Sequence, residues 1–424
     1  MTDLIPLPLL RNSERKDFKT CQAKWNWAWN FGLKLKIPTQ SAAWFGTGWH
    51  LVWAEYYTPP PGKDGFTRSE KDPHETWAEY CKGEYASISS GPYWDEVAEK
   101  EWHDAETLGH IMIDNYLEEY GNPADPHWEV LMPEQRFRAR IPLNARQQAM
   151  PLSRRIALGL DGKHFITDLR GTFDMPVRDH SFDPPRVVVV DHKTTNKKEN
   201  VRWLTKDDQS GTYITIGTQF LRRNGLILPS ESVWGAIWSY ARKGKKPDDE
   251  ILDSQGRKRN KPEKKHYAEQ LDGMTIAGAF YSAETLMGMP ITSKVESKMT
   301  LEKLAQIAGV RVLGEVSKQQ PSPLFWREPV ERGRNNRMRQ LERIADDAEQ
   351  MAAIRNELAP VTKNPGEHCN WCQFSDLCDL DENGDETDEY IKAVYDVVDP
   401  YADHREGARN SKETVQAKKA TGVQ

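Results

Sequence analysis

Five cysteines in 424 residues are too few for a disulfide framework. No stretch approaches the roughly 20 consecutive apolar residues that a bilayer-spanning helix needs. Positive charge is not in excess either. Lys and Arg number 58 against 64 Asp and Glu, giving a net charge of -6 and a pI near 6.1. That balance excludes a histone-like coat and leaves room for a local positive groove. The phosphate-cradling pattern G-x-x-x-x-G-K-[ST] is missing, because the three Gly-Lys pairs continue with Asp64, His164 and Lys246. The chain therefore does not encode an ATP-driven motor. The start, MTDLIPLPLLRNSERKDF, places two prolines and no basic head before an apolar run, which predicts no secretory signal. A cytoplasmic protein without membrane contact is the expectation.

Against these absences stand fifteen tryptophans, large apolar surfaces suited to a core or a partner. Phe18, Cys21, Trp25 and Ala28 follow a helical stripe, which predicts helix from residue 13 up to an interruption at Pro38. A second helix, from about 41 through 57, would carry Gly46, His50 and Ala54 on one side. Further helices are expected at 74–88 and 93–120. From about 128 the hydrophobic period changes to that of strands, over 129–141 and 164–177. RVVVVDHKTT, at 186–195, reads as a strand covered on both faces. A helix at 210–224 and a strand at 232–241 follow, then a polar loop or hairpin at 242–265 and helices at 267–287, 298–308 and 332–357. The fold class is α/β, with a mixed central sheet near 130–240 flanked by helices. The expected regions are a helical N-terminal part (1–127), the sheet core (128–241), a basic and helical segment of unassigned role (242–366), a Cys-containing segment (367–400) and a disordered tail (401–424).

The stretch GTFDMPVRDHSFDPPRVVVVDHKTT carries the most chemistry. Asp191 and Lys193 stand at i and i+2 at the end of the valine run, so both point to one face of the sheet. Asp174 lies 17 residues upstream of Asp191, enough chain for a turn and an adjacent antiparallel strand. Two carboxylates brought together repel unless a cation sits between them, and Asp oxygens are hard ligands suited to Mg²⁺ or Mn²⁺. A neighbouring lysine can orient a water or stabilise charge developing on a phosphoryl oxygen. These are the parts of a metal-assisted phosphodiester hydrolase.

On these residues the sequence resembles the PD-(D/E)XK (restriction-endonuclease-like) nuclease superfamily, and within it the RecB-like branch of AddB-type and CRISPR-associated exonucleases. Gly171 and Asp174 in GTFD, Asp191 and Lys193 in DHK, Gly46 and His50 in GTGWH, and Gln209 and Tyr213 in QSGTY carry the likeness, in the family's order. The resemblance implies that His50, Asp174 and Asp191 bind the metal together with the backbone carbonyl of His192. It implies that Lys193 is the catalytic lysine, and that Gln209 and Tyr213 support the site or contact DNA. Glu134 is a further candidate acid. The implied activity is a Mg²⁺- or Mn²⁺-dependent DNA exonuclease acting on ends or single strands in recombination, repair or phage DNA metabolism. A recombination or helicase protein is the implied partner. The alternatives are a structure-specific endonuclease and a non-cleaving nucleic-acid-binding protein.

Cys369, Cys372 and Cys378 form C-x2-C-x5-C, a thiolate spacing that suggests metal. The expected fourth ligand is Cys21, with Cys81 the competitor. In the RecB-like resemblance this pattern implies a four-iron iron–sulfur cluster that joins the two terminal segments, and structural Zn²⁺ is the chemical alternative. Three basic runs, 241–246, 257–265 and 332–339, are candidates for phosphate contact. The acidic stretch 379–390 resembles a calcium loop but has Tyr390 where the bidentate Glu belongs, and reads as a linker.

Overall fold

The computed structural model describes residues 7–36, 42–90, 94–198, 201–246, 252–295 and 297–404. Two compact units result, one of residues 1–243 with 325–424 and one of residues 244–324.

The larger unit begins with β1 (Leu9–Arg11) and α1 (Asn12–Thr20), which stops at the extended residue Cys21. α2 (Gln22–Trp25) continues as a π-helical turn over Asn26–Asn30. Gly32, at φ +66°, then turns the chain into β2 (Leu33–Leu35), and a Cβ at this position would collide with the Val398 carbonyl. The helix expected from residue 13 thus breaks at Cys21 and ends well before Pro38, which lies outside the described residues. α3 (Ala42–Tyr56) is apolar on most sides and buries Trp49 and Trp53 completely, so it is an internal helix. α4 (Pro73–Ile88) and α5 (Glu96–Tyr120) begin where Asp72 and Asp95 accept first-turn N–H groups, close to the expected 74–88 and 93–120. Gly48 and Gly109 are small because Trp77 packs against both; Gly46 has ordinary room beside Thr194.

The sheet core follows as β3 (Trp128–Val130), β4 (Gln135–Pro142), the short helices α6 (Ala145–Gln148) and α7 (Leu152–Ala157), β5 (Phe165–Phe173), β6 (Met175–Asp179), β7 (Arg186–Thr195), α8 (Asp208–Arg223) and β8 (Val233–Arg242). β7 and β8 pair in parallel across α8, and β6 and β3 extend this sheet in antiparallel fashion. A second sheet has the order β1-β5-β4. The strands expected as continuous over 129–141 and 164–177 therefore each divide between the two sheets. One crossing spans residues 131–134 and the other is the single residue Asp174. The Glu134 N–H donates to the Asp174 carbonyl at 2.7 Å, which stitches the crossings together.

Residues 244–324 form a unit with its own core of Tyr267, Leu271, Ile276, Leu286, Leu301 and Leu304. It contains α9 (Lys264–Leu271), the hairpin β9 (Met274–Ile276) and β10 (Ala279–Tyr281), α10 (Ala283–Gly288) and α11 (Leu301–Ala308). The single helix expected at 267–287 is instead helix, hairpin, helix. Ala277 and Gly278, both at positive φ, supply the tight hairpin turn.

β11 (Phe325–Glu331) returns to the larger unit as the antiparallel neighbour of β8, and α12 (Arg334–Arg355) packs on α8. The segment expected to run from 242 to 366 thus divides near Phe325. α13 (Ser375–Asn383) and α14 (Asp388–Val394) lead to β12 (Tyr395–Val397), which pairs with β2 and so joins the two terminal segments by a backbone ladder. The acidic stretch expected as a linker at 379–390 starts as the end of α13, closed by Gly384 at φ +76°. Of the tail expected to be disordered from 401, residues 402–404 form a short 3-10 turn with His404 buried, and 405–424 lie outside the described residues.

One buried network fixes α3 and α5 against the sheet. Arg327 on β11 donates to both oxygens of Asp125 at 2.7 Å, between the rings of Tyr120 and Trp128. Tyr57, following α3, donates to Asp125 at 2.6 Å, and its hydroxyl meets that of Tyr116 on α5. Deleting one partner of a buried pair strands the other charge, at a cost of about 3–5 kcal/mol. Arg327→Ala is therefore predicted to lower the urea unfolding midpoint by that equivalent, whereas Lys392→Ala, at the exposed ion pair with Glu389, should change it by less than about 1 kcal/mol.

Candidate active site

β7 delivers the site because its valines are covered on both faces and its last residues are charged. Val188, Val189 and Val190 are buried, and Asp191, next in line, is fully buried as well. Alternation puts Asp191 and Lys193 on one face, and the Lys193 ammonium lies 2.6 Å from Asp191 Oδ2. His192 points the other way. Its ring is buried among Trp53, Tyr57 and Tyr116, and burial in that apolar box pushes its pKa down to about 3, so it is neutral.

The β6–β7 ladder runs out at Met175 opposite Val190, and the next residue, Asp174, stands at the crossing between sheets beside Asp191. Asp174 Oδ2 is 3.0 Å from His50 Nδ1 on α3 and accepts the His192 N–H at 3.3 Å. Glu134 enters from the other crossing, with φ at +49°, a strained value for a residue with a side chain. One ligand atom each of His50, Glu134 and Asp174 lies within 4.8 Å of the others, the tightest such donor group among the described residues. Asp191 adjoins this trio through Asp174 and is held by Lys193 and Gln209. Nitrogen and carboxylate donors of this kind suit a hard divalent cation.

Gln209 and Tyr213 occupy one face of α8, whose start is fixed by Asp207 accepting the Ser210 N–H. The Gln209 amide donates to Asp191 Oδ1 at 3.1 Å and reaches the Tyr213 hydroxyl at 2.9 Å. That hydroxyl donates to the Thr172 carbonyl at 2.8 Å. Gly171, one residue earlier, is small because the Phe137 ring crosses directly over it.

The electrostatics show what the arrangement needs. Burial raises the pKa of Asp191, and the neighbouring Asp174 carboxylate adds to the rise against the pull of Lys193. Asp174 is also pushed up by burial, but His50 and Lys193 outweigh this and hold it below the usual carboxylate range. Burial pushes His50 down, and the Asp174 charge reverses this to a net rise. The cation-free site therefore keeps protons that a bound cation would displace.

The sequence-predicted residues His50, Asp174, Asp191, Lys193, Gln209, Tyr213 and Glu134 are thus brought together. Beside them opens a cleft of about 950 Å³, lined by Lys193, Gln209 and Tyr213. Its basic wall comes from Arg11, Lys16, Lys19, Arg170 and Lys206, which sequence reading missed because three stretches far apart in the chain contribute them. Among the basic runs, 332–339 of the same unit does not line this cleft. The run 332–339 is partly structural, since buried Arg332 donates to the Asp207 carbonyl and Arg337 to that of Val233.

The cysteines lie at the junction of the terminal segments. Cys21, Cys372 and Cys378 pack against one small core that includes Trp27, Phe374 and Tyr395, and Cys369 is exposed. The Cys21 thiol is an electrostatic neighbour of both Cys372 and Cys378. No three thiols approach as closely as the His50 trio among the described residues. Cys81 is buried on α4, away from this group.

Compared with known families, residues 12–379 match the family model described as the PD-(D/E)XK nuclease superfamily. No curated protein matches the chain. No helix is long and apolar enough to cross a membrane among the described residues.

The proton balance gives a prediction with a definite sign. Asp191 and His50 have raised folded-state pKa values, so their contributions favour the metal-free fold at lower pH and fade as pH rises through neutrality. The contribution of Asp174 is present above its unfolded value and fades only in acid. The melting temperature of metal-free protein should fall between about pH 4 and about pH 7 as Asp191 gives up its proton, with His50 continuing the fall above its ordinary value, and saturating Mn²⁺ should remove much of that fall. Calorimetry in buffers of different ionisation enthalpy should show Mn²⁺ affinity increasing with pH and protons leaving on binding.

Proposed function

Because the chain belongs to the PD-(D/E)XK nuclease superfamily, we propose that it is a Mg²⁺- or Mn²⁺-dependent DNA exonuclease of the RecB-like type, acting on ends or single strands in DNA recombination, repair or phage DNA metabolism. Membership implies metal-dependent nuclease chemistry; the finer reading rests on the site. The observation that carries it is the convergence of His50, Glu134 and Asp174 beside the Asp191–Lys193 pair.

His50, Glu134, Asp174 and Asp191, with the backbone carbonyl of His192, would hold the cation. A divalent cation there polarises the phosphodiester and stabilises the leaving oxygen. Lys193 would orient the attacking water or stabilise charge developing on a phosphoryl oxygen, and Asp191, 2.6 Å away, keeps its ammonium charged. Gln209 fixes the second oxygen of Asp191, and Tyr213 fixes Gln209, so the Asp191 carboxylate is held in place when the substrate enters. The basic wall gives phosphate contact without base preference. Such an enzyme would work at the DNA ends exposed by a helicase or recombination partner.

Cys21, Cys369, Cys372 and Cys378 would hold a four-iron iron–sulfur cluster. The gathering of Cys21 with Cys372 and Cys378 on one small core supports a metal site there, and four thiols are a fitting donor set. Its role would be to close a very long loop and reinforce the β2–β12 ladder.

Lys193→Ala should lower turnover of end-labelled linear DNA roughly 10²–10³-fold while Mn²⁺ affinity persists. EDTA should abolish cutting, and a closed circle should survive. Nicking of the circle would favour the endonuclease alternative. Protein purified without oxygen should be brown and carry iron, and Cys372→Ala should bleach it. A colourless, zinc-loaded protein would refute the cluster and leave the nuclease reading standing.

A further inference from the structure

The cleft beside Lys193 contains an aromatic feature that hydrolysis itself does not require. Trp203 sits on a 3-10 turn spanning Arg202–Lys206, between β7 and α8, and is 44% exposed. The turn does not leave it there for want of an anchor. Leu204, its neighbour, is buried at 2% exposure in the main core. The Asp207 carbonyl at the turn's end accepts a hydrogen bond from buried Arg332. The pinned turn buries its leucine and so holds an exposed indole at the cleft rim, where a ligand entering the cleft would meet it.

The surroundings identify the chemistry of that ligand. The Trp203 ring meets Trp238 edge-on, with centroids 5.5 Å apart, and the Lys193 ammonium lies 5.1 Å from the centroid of that same Trp238 ring. A continuous path therefore leads from Lys193 across Trp238 to the indole at the rim. Trp238 is itself fixed, its Nε1–H donating to Ser210. Lys206, three residues after Trp203, and Lys16, on α1, line the same cleft; both are exposed and have no ion-pair partner among the described residues. Lys19 and Arg170 are already committed, to Asp208 and Asp168 respectively. An exposed aromatic face flanked by uncommitted cations fits a nucleotide, with the base on the ring and phosphates on the ammoniums. A duplex keeps its base faces stacked internally and offers none to an indole. The cleft volume of about 950 Å³ lies at the upper end of ligand-pocket sizes, room for a few nucleotides of one strand.

We infer that Trp203 is the base-stacking residue that makes this cleft select unpaired strand over duplex, with Lys16 and Lys206 taking the flanking phosphates. This rests on the nuclease reading above and adds the residue that sets its substrate class.

The test uses the full chain with Mn²⁺ and compares kcat/KM on single-stranded poly(dT) with that on a blunt duplex. Stacking of one base on an aromatic ring corresponds to roughly 5- to 150-fold in affinity. Trp203→Ala should lower the ratio of the two kcat/KM values by a factor in that range, through KM for the single strand, and Trp203→Phe should restore most of it. Lys16→Ala and Lys206→Ala should each reduce the salt dependence of poly(dT) binding by about 0.7 in log–log slope. This second readout decides the matter if the Trp203→Ala protein does not fold. A ratio indifferent to Trp203, or salt slopes unaltered by both lysine variants, overturns the inference while cutting by the unaltered chain keeps the nuclease reading. No cutting of either substrate by the unaltered chain overturns both.

Discussion

Two buried carboxylates that cannot both be charged unaided are the constraint on which this molecule is organised. Asp174 and Asp191 meet because the β6–β7 ladder stops at Met175 and Val190, where the chain at Asp174 changes sheets. His50 and Lys193 offset their repulsion from opposite sides, at 3.0 and 2.6 Å. Around that pair the larger unit supplies rigid support: an internal Trp-rich helix behind His50, a run of four valines before Asp191, and a capped helix behind Gln209. A site of this kind is preorganised for a cation, because the protein has already borne the unfavourable desolvation of its ligands.

The crossing between the sheets is what gives Glu134 and Asp174 a common location. They are forty residues apart in sequence but flank the same antiparallel pair, β4 with β5, and one backbone hydrogen bond joins the two crossings. Glu134 also accepts a positive φ there. Strain of this sort persists where surrounding structure over-determines it, and here the two sheets hold both sides of the turn.

Much of this could be read in the sequence, and for identifiable reasons. The 186–195 strand stood out because four valines end abruptly in D-x-K, and the helix with Gln209 and Tyr213 because i, i+4 spacing puts them on one face. The helices at 73–88 and 96–120 were legible between the loop at 58–65 and the prolines at 123 and 126. The divided strands were not, since residues 129–141 and 164–177 keep an alternating pattern straight through the points where the chain changes sheets. The break at Cys21 was hidden by an apolar stripe that continues beyond it, and the β2–β12 ladder is a long-range pairing of two three-residue strands with little local signal. The hairpin within 267–287 did carry a signal, in its Asp-Gly and Ala-Gly pairs, but helical composition on both sides masked it. The basic wall escaped because charge in a groove is a property of the fold; its cations come from β1 and α1 and from segments more than 150 residues away.

The central claim is that His50, Glu134, Asp174 and Asp191 share one hard cation, and crystals soaked in Mn²⁺ test it most directly. The account predicts an anomalous-scattering peak between those four side chains, lost when Asp174 is replaced by Asn. Manganese bound elsewhere, or an unchanged peak in that variant, would contradict it.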